Sequence, residues 1–242
     1  MLHNPKHIQL LFLPGLGGDH RMAHTQRALP YTLIAPDYIP FERGESLADY
    51  AKRFCERLLA AHEIDLARPL FIAGYSLGSA IGQEMTKYIS VRGLILIGGL
   101  FSSRELRLIP RLFGRYISRW LPLWVYRAAE IFITPVMRMV SGLSEQEIQL
   151  AHAMYHDLPR GLFREGYRAL AHWQASLTMR GCEIAVPFIR IHGELDHIIT
   201  CPKPGQNIIV ILSAKHLVGQ SRPAMVNAAI EDFITRTMIG NE

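Results

Sequence analysis

A chain of 242 residues with 49% hydrophobic and 19% charged residues is too apolar for a disordered protein and long enough to bury one sizeable core. Its net charge of +5 comes with no RNA- or DNA-binding signature, which argues against a nucleic-acid partner. Three scattered cysteines, Cys55, Cys182 and Cys201, form no Cys-x-x-Cys pair and no metal spacing, which excludes a disulfide scaffold and points to a reducing compartment.

The N-terminus, MLHNPKHIQLLFLPGLGG, lacks a signal-peptide cleavage pattern, and its apolar run is too short to span a bilayer. A soluble, cytoplasmic protein is the expectation. Residues 8–13 read as a buried strand feeding the glycine-rich turn Pro14-Gly15-Leu16-Gly17-Gly18. Asp19 is placed to cap a helix reaching Leu29, where Pro30 ends it. Residues 31–35 form a second strand, closed by Pro36-Asp37. Ser46 opens an amphipathic helix with Leu47, Ala51, Phe54, Leu58 and Ala61 on one face.

Residues 70–73 are the next strand, followed by Ser76 and a helix from Leu77 to about Ile89. Further apolar runs lie at 93–97, 188–191 and 207–212. A last helix spans 221–238, with Met225, Val226, Ala229, Ile230 and Phe233 at helical spacing. Strands that are apolar throughout and alternate with helices predict an α/β fold, a doubly wound, mainly parallel sheet covered on both faces. Only 101–185 breaks the rhythm. It is helical, tryptophan-bearing and rich in arginine, and it reads as an inserted helical cap, or lid, on a core made of 1–100 and 186–242. Residues 101–180 hold eleven arginines against six acids, which accounts for the whole net charge.

In a doubly wound sheet, ligands bind beyond the carboxyl ends of the strands. The residues just after the predicted strands include Leu16, Asp37, Ser76, Asp196 in HGELDHII and His216 in SAKHLV. They contain one hydroxyl, one imidazole and suitable carboxylates. A serine hydroxyl is a poor nucleophile until a base takes its proton, and His216 is the expected base. Asp196 would orient the imidazole and stabilise its protonated form. The flanks of Ser76 in GYSLG are glycines because a strand-to-helix turn is too crowded for side chains there. The expected oxyanion donors are the backbone N–H groups of Leu77 and Leu16.

PGLGGD, GYSLG, HGELD and the late AKH, in this order, resemble the α/β-hydrolase superfamily, in particular its small esterase-like serine hydrolases. The resemblance implies about six parallel strands, lacking the family's first two, with a cap after the strand ending at Ile97. It departs from the family pattern twice. Pro14 stands where a histidine is common, as in small esterase-like members. Only residues 193–206 separate the last two strands, with Pro202 and Pro204 among them, so the family's usual helix is expected to be missing near Asp196.

Alternatives stay open at several residues. Glu194 is the other candidate acid, and Asp37 reads as stabilising its loop. His152 and His156, with Asp157 alongside, have zinc-compatible spacing but no matching glutamate base or third histidine, so no metal is expected. His172 and Trp173 are candidates to line the pocket or to pack the cap. The arginines of the cap read as a wet face, as a dock for anionic lipid, or as a receiver for a phosphate-bearing substrate. The function expected is hydrolysis of a carboxylic ester of a largely apolar acyl group through an acyl-enzyme, with no cofactor. The alternatives are an acyl thioesterase and a ligand-binding member of the fold without turnover. Oligomeric state is not legible.

Overall fold

A computed structural model describes residues 4–140, 142–174 and 186–239. Arg180, Cys182 and the expected end of the cap at 185 lie outside the described residues.

The first described elements are a short 3-10 turn, Pro5–His7, and strand β1, Gln9–Leu13. The stretch after Asp19 is a 3-10 helix, His20–Ala28, started by the Asp19 carboxylate accepting the Arg21 N–H. Strand β2 is Thr32–Ile34, and helix α1 is Leu47–Ala60. The Ser46 hydroxyl accepts the Asp49 N–H at 3.1 Å and so satisfies one orphan donor of α1. Leu47, Ala51, Phe54 and Leu58 are buried as the spacing predicts, joined by Tyr50 and Cys55. Ala61 is instead the exposed C-cap.

Strand β3, Leu70–Tyr75, leads into α2, Leu77–Met85. That helix ends four residues earlier than expected. Beyond Met85 the chain tightens: the Lys87 and Tyr88 N–H groups reach back three residues, and the Thr86 hydroxyl binds the Gln83 carbonyl. Strand β4 is Gly93–Ile97. Among the described residues, five α-helices lie before the next strand, with short 3-10 and π turns between them: α3, Leu108–Leu112; α4, Leu123–Ala128; α5, Ile133–Val140; α6, Glu145–Asp157; and α7, Arg160–His172. Strands β5, Phe188–Gly193, and β6, Ile208–Ile211, are joined by loop alone, so the helix expected to be missing is absent. The short α8, Val218–Ser221, and the long α9, Pro223–Ile239, close the fold.

All six strands are parallel, in the order β2-β1-β3-β4-β5-β6. The central strands β1, β3 and β4 are buried along their whole length because both faces of the sheet are covered there, while the edge strands β2 and β6 are largely half-buried. On one face Leu11, Leu13, Ile72, Leu94 and Leu96 pack with Tyr50, Phe54 and Leu58 of α1 and Ile81 of α2. On the other, Leu10, Phe12, Phe71 and Ile95 meet Met22 and Ala23 of the 3-10 helix and Val226, Ile230 and Phe233 of α9. Each such side chain, fully buried, contributes roughly 1.5–3 kcal/mol. Met225 faces solvent. The strand order reverses between β1 and β3, so the loops leaving these two strands sit side by side at the switch point.

Candidate active site

Ser76 is the single residue between β3 and α2, with φ 48° and ψ −109°. A non-glycine residue in this region is strained and persists only where its surroundings hold it. Its N–H donates to the Ile97 carbonyl at 3.0 Å, and its carbonyl accepts the Ser79 N–H at 3.0 Å and the Ser79 hydroxyl at 2.6 Å. The flanking glycines answer to space. A Cβ on Gly74 would stand 2.5 Å from the Ser79 Cα, and one on Gly78 would stand 2.6 Å from the Pro14 carbonyl oxygen. The start of α2 therefore lies directly against both β3 and the loop after β1.

That loop is itself fixed. Gly17 has φ 90°, the Gly18 N–H closes a turn onto the Gly15 carbonyl at 3.1 Å, and the Tyr38 hydroxyl donates to the Pro14 carbonyl at 2.7 Å. Leu13 and Gly74 are paired across β1 and β3, which brings Leu16 to the same rim as Ser76. Neither the Leu16 nor the Leu77 N–H has an acceptor among the described residues.

Asp196 and His216 follow β5 and β6. The fully buried Asp196 carboxylate places Oδ2 2.7 Å from His216 Nδ1, and its Oδ1 accepts the N–H groups of Ile198 at 2.7 Å and Ile199 at 2.9 Å. Burial alone would raise this carboxyl. The facing His216, the neighbouring His192 ring and the Ile199 N–H outweigh burial and hold it well below the usual carboxylate range. His192 Nε2 lies 3.1 Å from the same Oδ2 but too far off the ring N–H direction for a formed hydrogen bond. Glu194 is exposed and accepts the Ser213 N–H at 2.9 Å, so it is Asp196 that meets the imidazole. Ser76 and His216 open onto one pocket, with no hydrogen bond between their side chains.

Without a helix after β5, the Asp196 loop is held from across the molecule. The Thr200 N–H donates to the Glu105 carbonyl at 2.8 Å and the Arg107 N–H to the Ile198 carbonyl at 2.9 Å. Arg107 Nε donates to the Asp196 carbonyl at 3.1 Å. Behind this zipper, the Glu105 carboxylate pairs at 2.6 Å with Arg190, a fully buried side chain of β5. Sequence reading missed Glu105, Arg107 and Arg190. Only an arginine inside an apolar strand, in FIRIHG, hinted at a buried pair.

The pocket has a volume of about 240 Å³ and an apolar wall that includes Leu16, Leu106, Met137, Phe163, Tyr167 and Leu170. A second lobe of about 160 Å³ shares Leu16, Met137 and Phe163 with it. Neither His172 nor Trp173 lines these cavities. Trp173 is buried and donates its indole N–H to Glu84 at 2.8 Å, while His172 is exposed. Asp37 accepts His20 Nδ1 at 2.7 Å and the His20 N–H at 3.2 Å, which ties its loop to the 3-10 helix. His156 meets Glu130 at 2.5 Å and His152 lies 3.8 Å from the same oxygen, while Asp157 pairs with Arg21 at 2.7 Å.

A sequence model of the family described as Alpha/beta hydrolase family matches residues 10–229. Among curated proteins, the chain is similar to the pyrrolizixenacetamide deacetylase of Xenorhabdus hominickii, 32% identical over 108 residues. That match takes in 40% of this chain and spans 40% of the length of that relative. Among solved structures it is similar to a thermophilic esterase from Thermogutta terrifontis, with a TM-score of 0.74, 18% identity, and 95% of this chain and 90% of that one covered. It is also similar to a lipase-esterase related protein from Clostridium acetobutylicum, with a TM-score of 0.72, 14% identity, and 96% of each chain covered. At such identities the structural likeness is one of fold.

Proposed function

Because the chain belongs to the alpha/beta hydrolase family, we propose that it is a serine hydrolase cleaving a carboxylic ester of a largely apolar acyl group. The observation that carries this reading is the buried Asp196–His216 pair facing the pocket onto which the strained Ser76 opens. Ser76 Oγ attacks the acyl carbonyl carbon and its proton passes to His216 Nε2. The contact between them forms as substrate binds, as is common for catalytic hydrogen bonds that are open in the free enzyme. Asp196 holds the Nδ1–H tautomer and stabilises the imidazolium. The oxyanion of the tetrahedral intermediate accepts the free N–H groups of Leu16 and Leu77.

As the intermediate collapses, His216 returns its proton to the departing alkoxide, and the acyl group stays on Ser76. Water then attacks the acyl-enzyme, giving a proton to His216, and the second collapse restores the serine hydroxyl and releases the acid. No cofactor takes part. Helices α3 to α7, within residues 101–185, act as the cap that supplies the apolar wall and excludes water. The pocket of about 240 Å³ and its adjoining lobe of about 160 Å³ are walled mainly by apolar side chains, which favours an apolar acyl group.

The test is a panel of p-nitrophenyl esters of graded chain length, with acyl-CoA thioesters and acetanilides beside them. Turnover of the esters that vanishes in Ser76→Ala supports the reading. Turnover of thioesters alone would favour an acyl thioesterase. Turnover of the anilides alone would favour amide deacylation, the chemistry in the name of the Xenorhabdus relative. No turnover of any member by folded protein would favour a ligand-binding role.

A further inference from the structure

Ten of the sixteen large apolar side chains that are exposed among the described residues fall within residues 108–132. Ile109, Trp120, Trp124, Ile131 and Phe132 stand furthest out. A stretch this apolar on a protein surface marks a contact with something. Its charge is one-sided. Residues 106–129 hold five arginines and neither an acid nor a lysine. The acids at the two ends are engaged elsewhere, Glu105 with Arg190 and Glu130 with His156. Among the described residues, Arg104, Arg111, Arg115, Arg119 and Arg127 have no ion-pair partner.

Two of these arginines lie over neighbouring aromatic rings. The Arg119 guanidinium carbon is 4.6 Å from the Trp120 ring centre, and that of Arg115 is 5.8 Å from Tyr116. Arg104, Arg111 and Arg115 also converge, with Tyr116, Ser103 and His172, on an open cleft of about 480 Å³ whose wall holds no carboxylate among the described residues. Such a cleft suits a phosphate oxygen cluster, and guanidinium groups bind phosphate in a bidentate fork.

From this arrangement we infer that residues 104–132 dock the protein onto an anionic phospholipid surface. The tryptophans and aliphatic side chains enter the headgroup boundary, and a lipid phosphate sits in the Arg104–Arg111–Arg115 cleft. Charge complementarity selects this occupant: unpaired arginines around an apolar face match a negatively charged, amphipathic surface. The segment lies on the membrane and does not cross it, since no helix among the described residues is long and apolar enough to span a bilayer. Leu106 and Met137, near the two ends of the segment, line the pocket beside Ser76, so docking would bring that pocket close to the lipid surface. The inference stands whether or not Ser76 is a nucleophile.

Tryptophan fluorescence provides the readout. Trp120 and Trp124 are exposed, whereas Trp173 is buried and already bonded to Glu84, so a blue shift on docking reports the first two. Phosphatidylcholine vesicles with phosphatidylglycerol should produce the shift at low salt, and pure phosphatidylcholine should not. Each Arg→Gln change at 104, 111 or 115 should weaken partitioning about 5-fold, and all three together on the order of 100-fold, with an unchanged melting temperature. Added salt should weaken binding further. The single changes keep the test decisive if the triple variant does not fold. Three results would each overturn the proposal: equal binding to both vesicle types, binding of inorganic phosphate with no vesicle binding, and a stable dimer that already shields both tryptophans.

Discussion

The Tyr75 hydroxyl donates to the main-chain carbonyl of His216 at 2.8 Å, so the residue leading into the strained serine also holds the loop that carries the imidazole. The two rings meet edge to face at 6.1 Å. Burial pushes the Tyr75 hydroxyl well above its ordinary pKa, so it remains a donor at any working pH. Tyr75→Phe should lower kcat about 10-fold with little change in KM, and should cost about 1–2 kcal/mol of stability. Steady-state kinetics and urea melts check both. A stability loss with kcat intact would reduce Tyr75 to packing.

Asp196 ties stability to pH. Its folded-state carboxyl is held below the unfolded value near 4, so the unfolded chain binds more protons as pH falls. The stabilisation is therefore complete above about pH 5 and is lost progressively below pH 4. Asp196→Asn should be less stable near neutrality and should lose less on acidification from pH 6 to 3. Thermal melts across that range read the difference. Parallel curves for the two proteins would contradict the assigned charge state.

The Glu105–Arg190 pair should behave as a buried ion pair. Glu105→Gln leaves the fully buried guanidinium without its counter-charge, and removing one partner of such a pair typically costs about 3–5 kcal/mol. The double change to Glu105→Leu and Arg190→Met should recover most of that loss. Because Glu105 also anchors the 198–200 loop through its backbone, kcat should fall in the single variant more than in the double.

Gly78→Ala should be far more damaging than a helix propensity scale suggests. Alanine favours helices, yet here its methyl would meet the carbonyls of Leu13 and Pro14. Relief requires moving α2 away from the loop that carries Leu16. A melting temperature lowered by several degrees, with kcat reduced even at temperatures where the protein is folded, is the expected outcome.

The six strands were legible because runs such as GLILI and IIVI are short, apolar throughout and rich in branched side chains, which fits parallel strands between helices. Ser76 was legible from glycine spacing, which reports a steric demand local to the turn. The expectation for Leu77 came from that same turn, and the one for Leu16 from the separate glycine-rich turn after β1. What could not be read were contacts between distant segments. The grip of Arg107 on the Asp196 carbonyl joins residues 89 apart, and the pairing of Trp173 with Glu84 spans the same separation. Periodicity also misjudged the end of α2, where side-chain and backbone turns compete with the helix, and the stretch after Asp19, which winds as a 3-10 helix. His192, beside Asp196 in the interior, carried no signal beyond its place in HGELD.

The central claim is that the Ser76 hydroxyl is the nucleophile and that the His216–Asp196 pair activates it. Labelling folded protein with a fluorophosphonate and mapping the adduct by mass spectrometry tests this directly. The account predicts one adduct, on Ser76, absent in Ser76→Ala and formed roughly a thousandfold or more slowly in His216→Ala. An unlabelled wild-type protein, or an adduct that survives Ser76→Ala, would contradict it.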